Sequence, residues 1–126
     1  MGRKIVTVVV LLGLLAAACG GGGDGASPSG EELFNETVLA GKPGCSTCHS
    51  LAPGQRLVGP SLAGIAATAA TRVPGVSARD YLLDSLTDPN DYLVEGYDAG
   101  VMAEWDKVIG TDEINALVDY LLTLEP

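Results

Sequence analysis

One pentapeptide constrains this chain more than any other segment: Cys45-Ser46-Thr47-Cys48-His49. His49 is the only histidine among 126 residues, and two of the three cysteines stand beside it. On a turn of helix, residues three apart project to one side, so Cys45 and Cys48 present two sulfurs in one direction with an imidazole directly after them. The residue types limit what such a group can be. A structural zinc site takes four ligands, and with the third cysteine far off at Cys19, Asp or Glu would have to complete the set. A thioredoxin-like redox pair needs a βαβ setting, and no convincing strand and no internal repeat reads in this sequence. A Cys45–Cys48 disulfide is possible in an oxidising compartment but gives His49 no role.

Cys-x-x-Cys-His is also the attachment signature of a c-type haem. Two sulfurs three residues apart can form thioethers with the two vinyl groups on one porphyrin edge, and the histidine that follows can reach the iron from the same side. This reading uses all three residues. It predicts one covalently bound haem c, with Cys45, Cys48 and His49 as cofactor-binding residues and His49 as an iron ligand.

The first residues read as an export signal and not as part of the fold. Arg3 and Lys4 give a positive start, an apolar and small-residue run from Ile5 to Ala18 follows, and Cys19 ends it. The run is shorter than the roughly 18 or more residues of a membrane span, which favours a cleaved signal over residues 1–18 above an uncleaved anchor. Leu15-Ala16-Ala17-Ala18-Cys19 resembles the cleavage site of a bacterial lipoprotein, in which the cysteine is lipidated and becomes the mature N-terminus. The usual leucine three places before the cysteine is Ala16 here, with Leu15 one place further back. The resemblance implies lipidation at Cys19 and a membrane anchor on the extracytoplasmic (periplasmic or outer) face. The alternative is an ordinary signal with a stray cysteine. Residues 20–28, GGGGDGASP, suit a flexible tether.

The domain then runs over residues 29–126. The formal charge is −9, and loss of Arg3 and Lys4 takes it to −11. The acids are scattered, which argues against nucleic acid and favours solubility and redox partner proteins with a basic docking face.

The domain reads as all-α. Ser29-Gly30-Glu31-Glu32 is a capping box opening a helix to about Ala40, with Phe34 and Val38 on one face, ended by Gly41-Lys42-Pro43-Gly44. Residues 51–60 carry two prolines and two glycines and read as loop. A short helix is expected over Ser61 to Thr71. Ser77-Ala78-Arg79-Asp80 resembles a second capping box and opens a helix to about Asp88, stopped by Pro89. Residues 90–110 are irregular and hold Met102 and the single tryptophan, Trp105; a long irregular stretch of this kind usually wraps something. Thr111 is expected to cap a last helix bearing the stripe Ile114, Leu117, Val118, Leu121 and Leu122.

From about Gly30 to Leu124 the chain resembles a class I mono-haem cytochrome c. The haem motif follows the first helix, Gly59-Pro60-Ser61-Leu62 is similar to the family's Gly-Pro-x-Leu, a lone methionine lies far downstream in an irregular loop, and an amphipathic helix closes the chain. The resemblance implies a small helical domain wrapped around the haem. Its terminal helices would cross closely, Gly30 and Phe34 against Leu117 and Tyr120. Pro60 would lend its carbonyl to the His49 N–H, and Met102 would be the second iron ligand. The proline that usually follows this methionine is Ala103 here. Tyr97 and Trp105 flank Met102 and are expected either to pack on the haem, or bond its propionate, or to be ordinary core; Arg56 is expected at a propionate or exposed to solvent.

With both axial positions filled by His49 and Met102, the implied function is one-electron transfer between membrane redox complexes of respiration or photosynthesis, with no enzymatic activity. The alternatives are a haem-based sensor or ligand-binding module, and a small electron-transfer subunit of a larger oxidoreductase complex.

Overall fold

A computed structural model describes residues 26–126. The export signal, Cys19 and most of the Gly-rich linker lie outside the described residues. The fold is mostly helical. The elements in order are α1 (Gly30–Asn35), a two-strand ribbon β1 (Val38–Leu39) and β2 (Lys42–Pro43), α2 (Cys45–Cys48), α3 (Ile65–Arg72), α4 (Ala78–Thr87), a 3₁₀ turn (Trp105–Lys107) and α5 (Thr111–Leu121). No helix among the described residues is long and apolar enough to cross a membrane.

Local signals start α1 and α4. The Ser29 N–H donates to the Glu32 carboxylate at 2.8 Å while the Glu32 N–H donates to Ser29 Oγ at 3.3 Å, the reciprocal pair that satisfies two orphan donors. At α4 the Asp80 N–H donates to Ser77 Oγ at 3.1 Å, and the Ser77 hydroxyl itself donates to the Asp80 carboxylate at 2.6 Å. Three boundaries depart from expectation. α1 ends at Asn35, because Val38–Leu39 pairs antiparallel with Lys42–Pro43. The two loop residues between them, Ala40 and Gly41, have φ of +47° and +78°, the positive values that a two-residue hairpin turn requires. Val38 therefore points outward at 62 % exposure, off the face it was expected to share with Phe34, while Leu39 is buried. α3 begins at Ile65 and not at Ser61: the Ser61 hydroxyl donates to the Ala52 carbonyl and accepts from the Ala63 N–H, and Gly64 takes φ +65°. α5 is capped by Gly110, whose N–H donates to the Glu113 carboxylate at 2.6 Å, with Thr111 as the first helical residue.

The core forms where α1 and α5 cross, with α4 against α5. Leu33, Phe34, Leu82, Leu86, Leu117 and Val118 are buried in it. At the crossing, a Cβ on Gly30 would stand 1.9 Å from the Ala116 carbonyl oxygen. Phe34 meets Tyr120 in a tilted aromatic pair with centroids 5.5 Å apart. The ion pair of Arg79 with Asp119 joins α4 to α5 on the surface.

Candidate functional site

The motif residues sit on α2, a single turn pinned from behind. The Gly44 N–H and the Thr47 hydroxyl both donate to the Thr37 carbonyl, at 2.9 and 3.2 Å. A Cβ on Gly44 would fall 1.7 Å from the Glu36 carbonyl oxygen, so only glycine lets the end of α1 lie this close to the start of α2. Cys45 and Cys48, three apart on that turn, are both half-buried and not joined in a disulfide. Burial, with the chain's own backbone hydrogen bond opposing it and Cys48 adding to it, pushes the Cys45 thiol up to about 11. A redox-active or catalytic cysteine is displaced the other way, toward thiolate.

His49 ends the turn in an extended conformation, and the loop beyond folds back over it. The Gly59 N–H donates to the Cys48 carbonyl, and the Leu62 N–H to the Ser50 carbonyl, each at 2.8 Å. Inside the loop, the buried Ser50 hydroxyl donates to Gln55 at 2.6 Å and accepts from the Ala52 N–H. The result brings the Pro60 carbonyl oxygen to 2.8 Å from His49 Nδ1. A carbonyl only accepts, so Nδ1 carries the proton and the Nε2 lone pair is left to bind. Burial holds the imidazole below its ordinary proton affinity, with the Pro60 hydrogen bond opposing, and the neutral ring is the ligating form.

Cys45, Cys48, His49, Pro60 and Met102 all line one cavity of about 530 Å³, within the roughly 300–1,000 Å³ of cofactor and ligand sites. Phe34, Leu82, Leu86, Trp105, Leu117 and Leu121 belong both to its wall and to the core, so an apolar group seated there completes the hydrophobic interior. Met102 is half-buried against that core and Trp105 fully buried. Among the described residues no three of His, Cys, Asp and Glu gather in metal-binding positions, so the donors that converge are one imidazole, two thiols and one thioether. Charge is arranged as well. Of the five basic side chains in the described residues, Arg79 pairs with Asp119 and Lys107 with Glu104. The other three, Lys42, Arg56 and Arg72, line the cavity together with the acidic Asp98. A second cleft of about 570 Å³, between the end of α1 and the start of α5, holds none of the motif residues.

Two features escaped the sequence reading. A Cβ on Gly59 would lie 2.4 Å from the His49 ring; the only trace of this in the sequence is the Gly-Pro pair itself. Arg56 is exposed, one of the two expected outcomes, but nothing in the sequence signalled its partners: it stacks on Tyr97 and donates to the Gly96 carbonyl. Compared with protein-family models, with curated proteins and with solved structures, the chain finds no match.

Proposed function

We propose that this chain is an exported electron carrier of the class I cytochrome c type, with a haem c held covalently by Cys45 and Cys48 and ligated by His49 and Met102. The observation that carries the reading is the convergence of these four residues on one apolar cavity with His49 oriented by the Pro60 carbonyl. Bound there, haem supplies reversible one-electron exchange between ferric and ferrous iron. The chain's own residues account for the rest. Cys45 and Cys48 would hold the haem through thioethers, each S–H adding across a vinyl double bond with no leaving group. His49 and Met102 would fill both axial positions and leave none for a substrate, which favours electron transfer over catalysis. The soft Met102 sulfur and the apolar wall would both raise the reduction potential. The close α1–α5 crossing at Gly30 supports a cytochrome c-like arrangement of the terminal helices.

A lipidated Cys19 with the tether of residues 20–28 would hold the domain at the outer face of a membrane and raise its effective concentration near membrane redox complexes. The net negative charge favours partners with a basic docking face. The deciding experiment is the optical spectrum of the reduced, purified protein with and without carbon monoxide. An unchanged spectrum is expected. Conversion to a carbon monoxide complex would remove Met102 from the iron and favour a haem-based sensor or ligand-binding module.

A further inference from the structure

We propose that Arg56 is a positioning residue for Met102, acting as a strap between the loop that follows His49 and the segment that carries the methionine. The proposal rests on the His49/Met102 reading above.

Residues 88–104 contain no helix and no strand. Pro89 at the start and Trp105 just beyond are buried, but Tyr92, Leu93 and Val101 between them are exposed. The segment's hydrogen bonds are largely its own: the Gly100 N–H donates to the Asn90 side chain at 2.7 Å, and the Tyr97 N–H to the Val94 carbonyl at 3.1 Å. Among the described residues, one hydrogen bond ties residues 92–103 to the chain outside this segment, from the Arg56 guanidinium to the Gly96 carbonyl. The same guanidinium lies 4.1 Å from the centroid of the Tyr97 ring. A planar guanidinium can stack on an aromatic face and donate in its own plane at once, which an ammonium cannot. Arg56 comes from the stretch between His49 and Pro60, so the strap couples the loop that orients one proposed ligand to the segment bearing the other. Gly96 suits the approach: its φ is +84°, and a Cβ there would lie 3.2 Å from a guanidinium nitrogen.

Releasing the strap should raise the fraction of molecules in which Met102 has left the iron. An outside ligand that needs this open state binds in proportion to that fraction. The experiment titrates the oxidised, haem-loaded, full-length protein with imidazole and follows loss of the weak red absorption of a methionine–iron bond. Arg56→Met and Tyr97→Leu are each expected to bind imidazole about tenfold more tightly than wild type, about 1.4 kcal/mol, with denaturant midpoints close to wild type because both contacts lie outside the core. Tyr97→Phe keeps the ring face and should behave as wild type, and so should Arg79→Met, which removes an equal charge elsewhere. Wild-type imidazole affinity in Arg56→Met overturns the strap. A Tyr97→Phe variant as open as Tyr97→Leu also overturns it, because the phenol hydroxyl would then be the working group. If wild type binds imidazole as tightly as Met102→Ala, the Met102 reading fails and the strap falls with it, whereas a closed wild type and an open Met102→Ala leave the strap to be judged on Arg56 alone.

Discussion

Gly59 lies directly against the ring of His49: a Cβ there would stand 2.4 Å from Cε1 and 2.7 Å from Nδ1. The next carbonyl in the chain, that of Pro60, accepts the hydrogen bond from the same ring. Gly59-Pro60 is therefore a backbone shelf that fixes the imidazole in both position and tautomer. Gly59→Ala has no flexible neighbour to displace, since the opposing atoms belong to a rigid ring held by its own hydrogen bond. Overpacking of this kind costs about 1–3 kcal/mol. The haem-loaded variant is expected to show a clearly lower denaturant midpoint and an altered spectrum. A variant indistinguishable from wild type in both would mean that the ring does not rest on Gly59.

Acid should test the same shelf from another side. Burial lowers the proton affinity of His49 from a usual value near about 6.5, so the ring stays neutral as pH falls through that value. Neutral imidazole is the form that ligates. The spectrum of the folded, oxidised protein is accordingly expected to hold as pH falls through the range in which a free histidine charges. In Gly59→Ala the displaced ring meets more water, and the acid transition should move upward. A wild-type transition centred on the ordinary histidine value would show that burial does not protect the ring.

Met102→Ala removes the one thioether that lines the cavity. The expected result is a distal position open to carbon monoxide and a lower reduction potential, read by spectroscopy and by potentiometric titration. Such a variant should remain folded, because Met102 is only half-buried and the core proper lies at the α1–α5 crossing. An unchanged potential together with an unchanged spectrum would exclude Met102 as an iron ligand.

Anchoring is a separate matter from the site. Cys19→Ser should leave haem incorporation intact while shifting the protein from the membrane fraction to the soluble extracytoplasmic fraction, as expected if the lipid is the anchor. Continued membrane association of the serine variant would favour an uncleaved apolar segment.

How much of this was readable beforehand follows the range of the interactions. The Ser29 and Ser77 caps and the stripe on α5 are contacts within four residues, and local residue chemistry dictates them. The end of α1 falls short of the expected Ala40 because Ala40 is a non-glycine residue with positive φ, and Ala-Gly carries none of the Asn-Gly signal of a hairpin. The start of α3 lies beyond the expected Ser61 because a side-chain bond from Ser61 to Ala52 competes with the helix. The contacts of Gly59 with His49 and of Arg56 with Tyr97 join residues 10 and 41 positions apart in the sequence. No composition or periodicity encodes those pairings; only the assembled loops bring them together.

Gly30 shows the limit from the other direction, a contact implied by the family resemblance and then located by the structure. Its absent Cβ lets α1 settle onto the backbone of α5 beside Ala116 and Tyr120, and the Phe34–Tyr120 ring pair follows one turn further along. The opposing atom is a backbone carbonyl oxygen at 1.9 Å from the Cβ position, which cannot yield without moving a whole helix. Gly30→Ala gains helix propensity of up to about 1 kcal/mol, so the sign of its effect discriminates. If α1 and α5 cross as described, the clash wins, and the variant loses about 1–3 kcal/mol, or several degrees or more of melting temperature for a domain this small. A Gly30→Ala protein more stable than wild type would mean that the two terminal helices do not touch at this point.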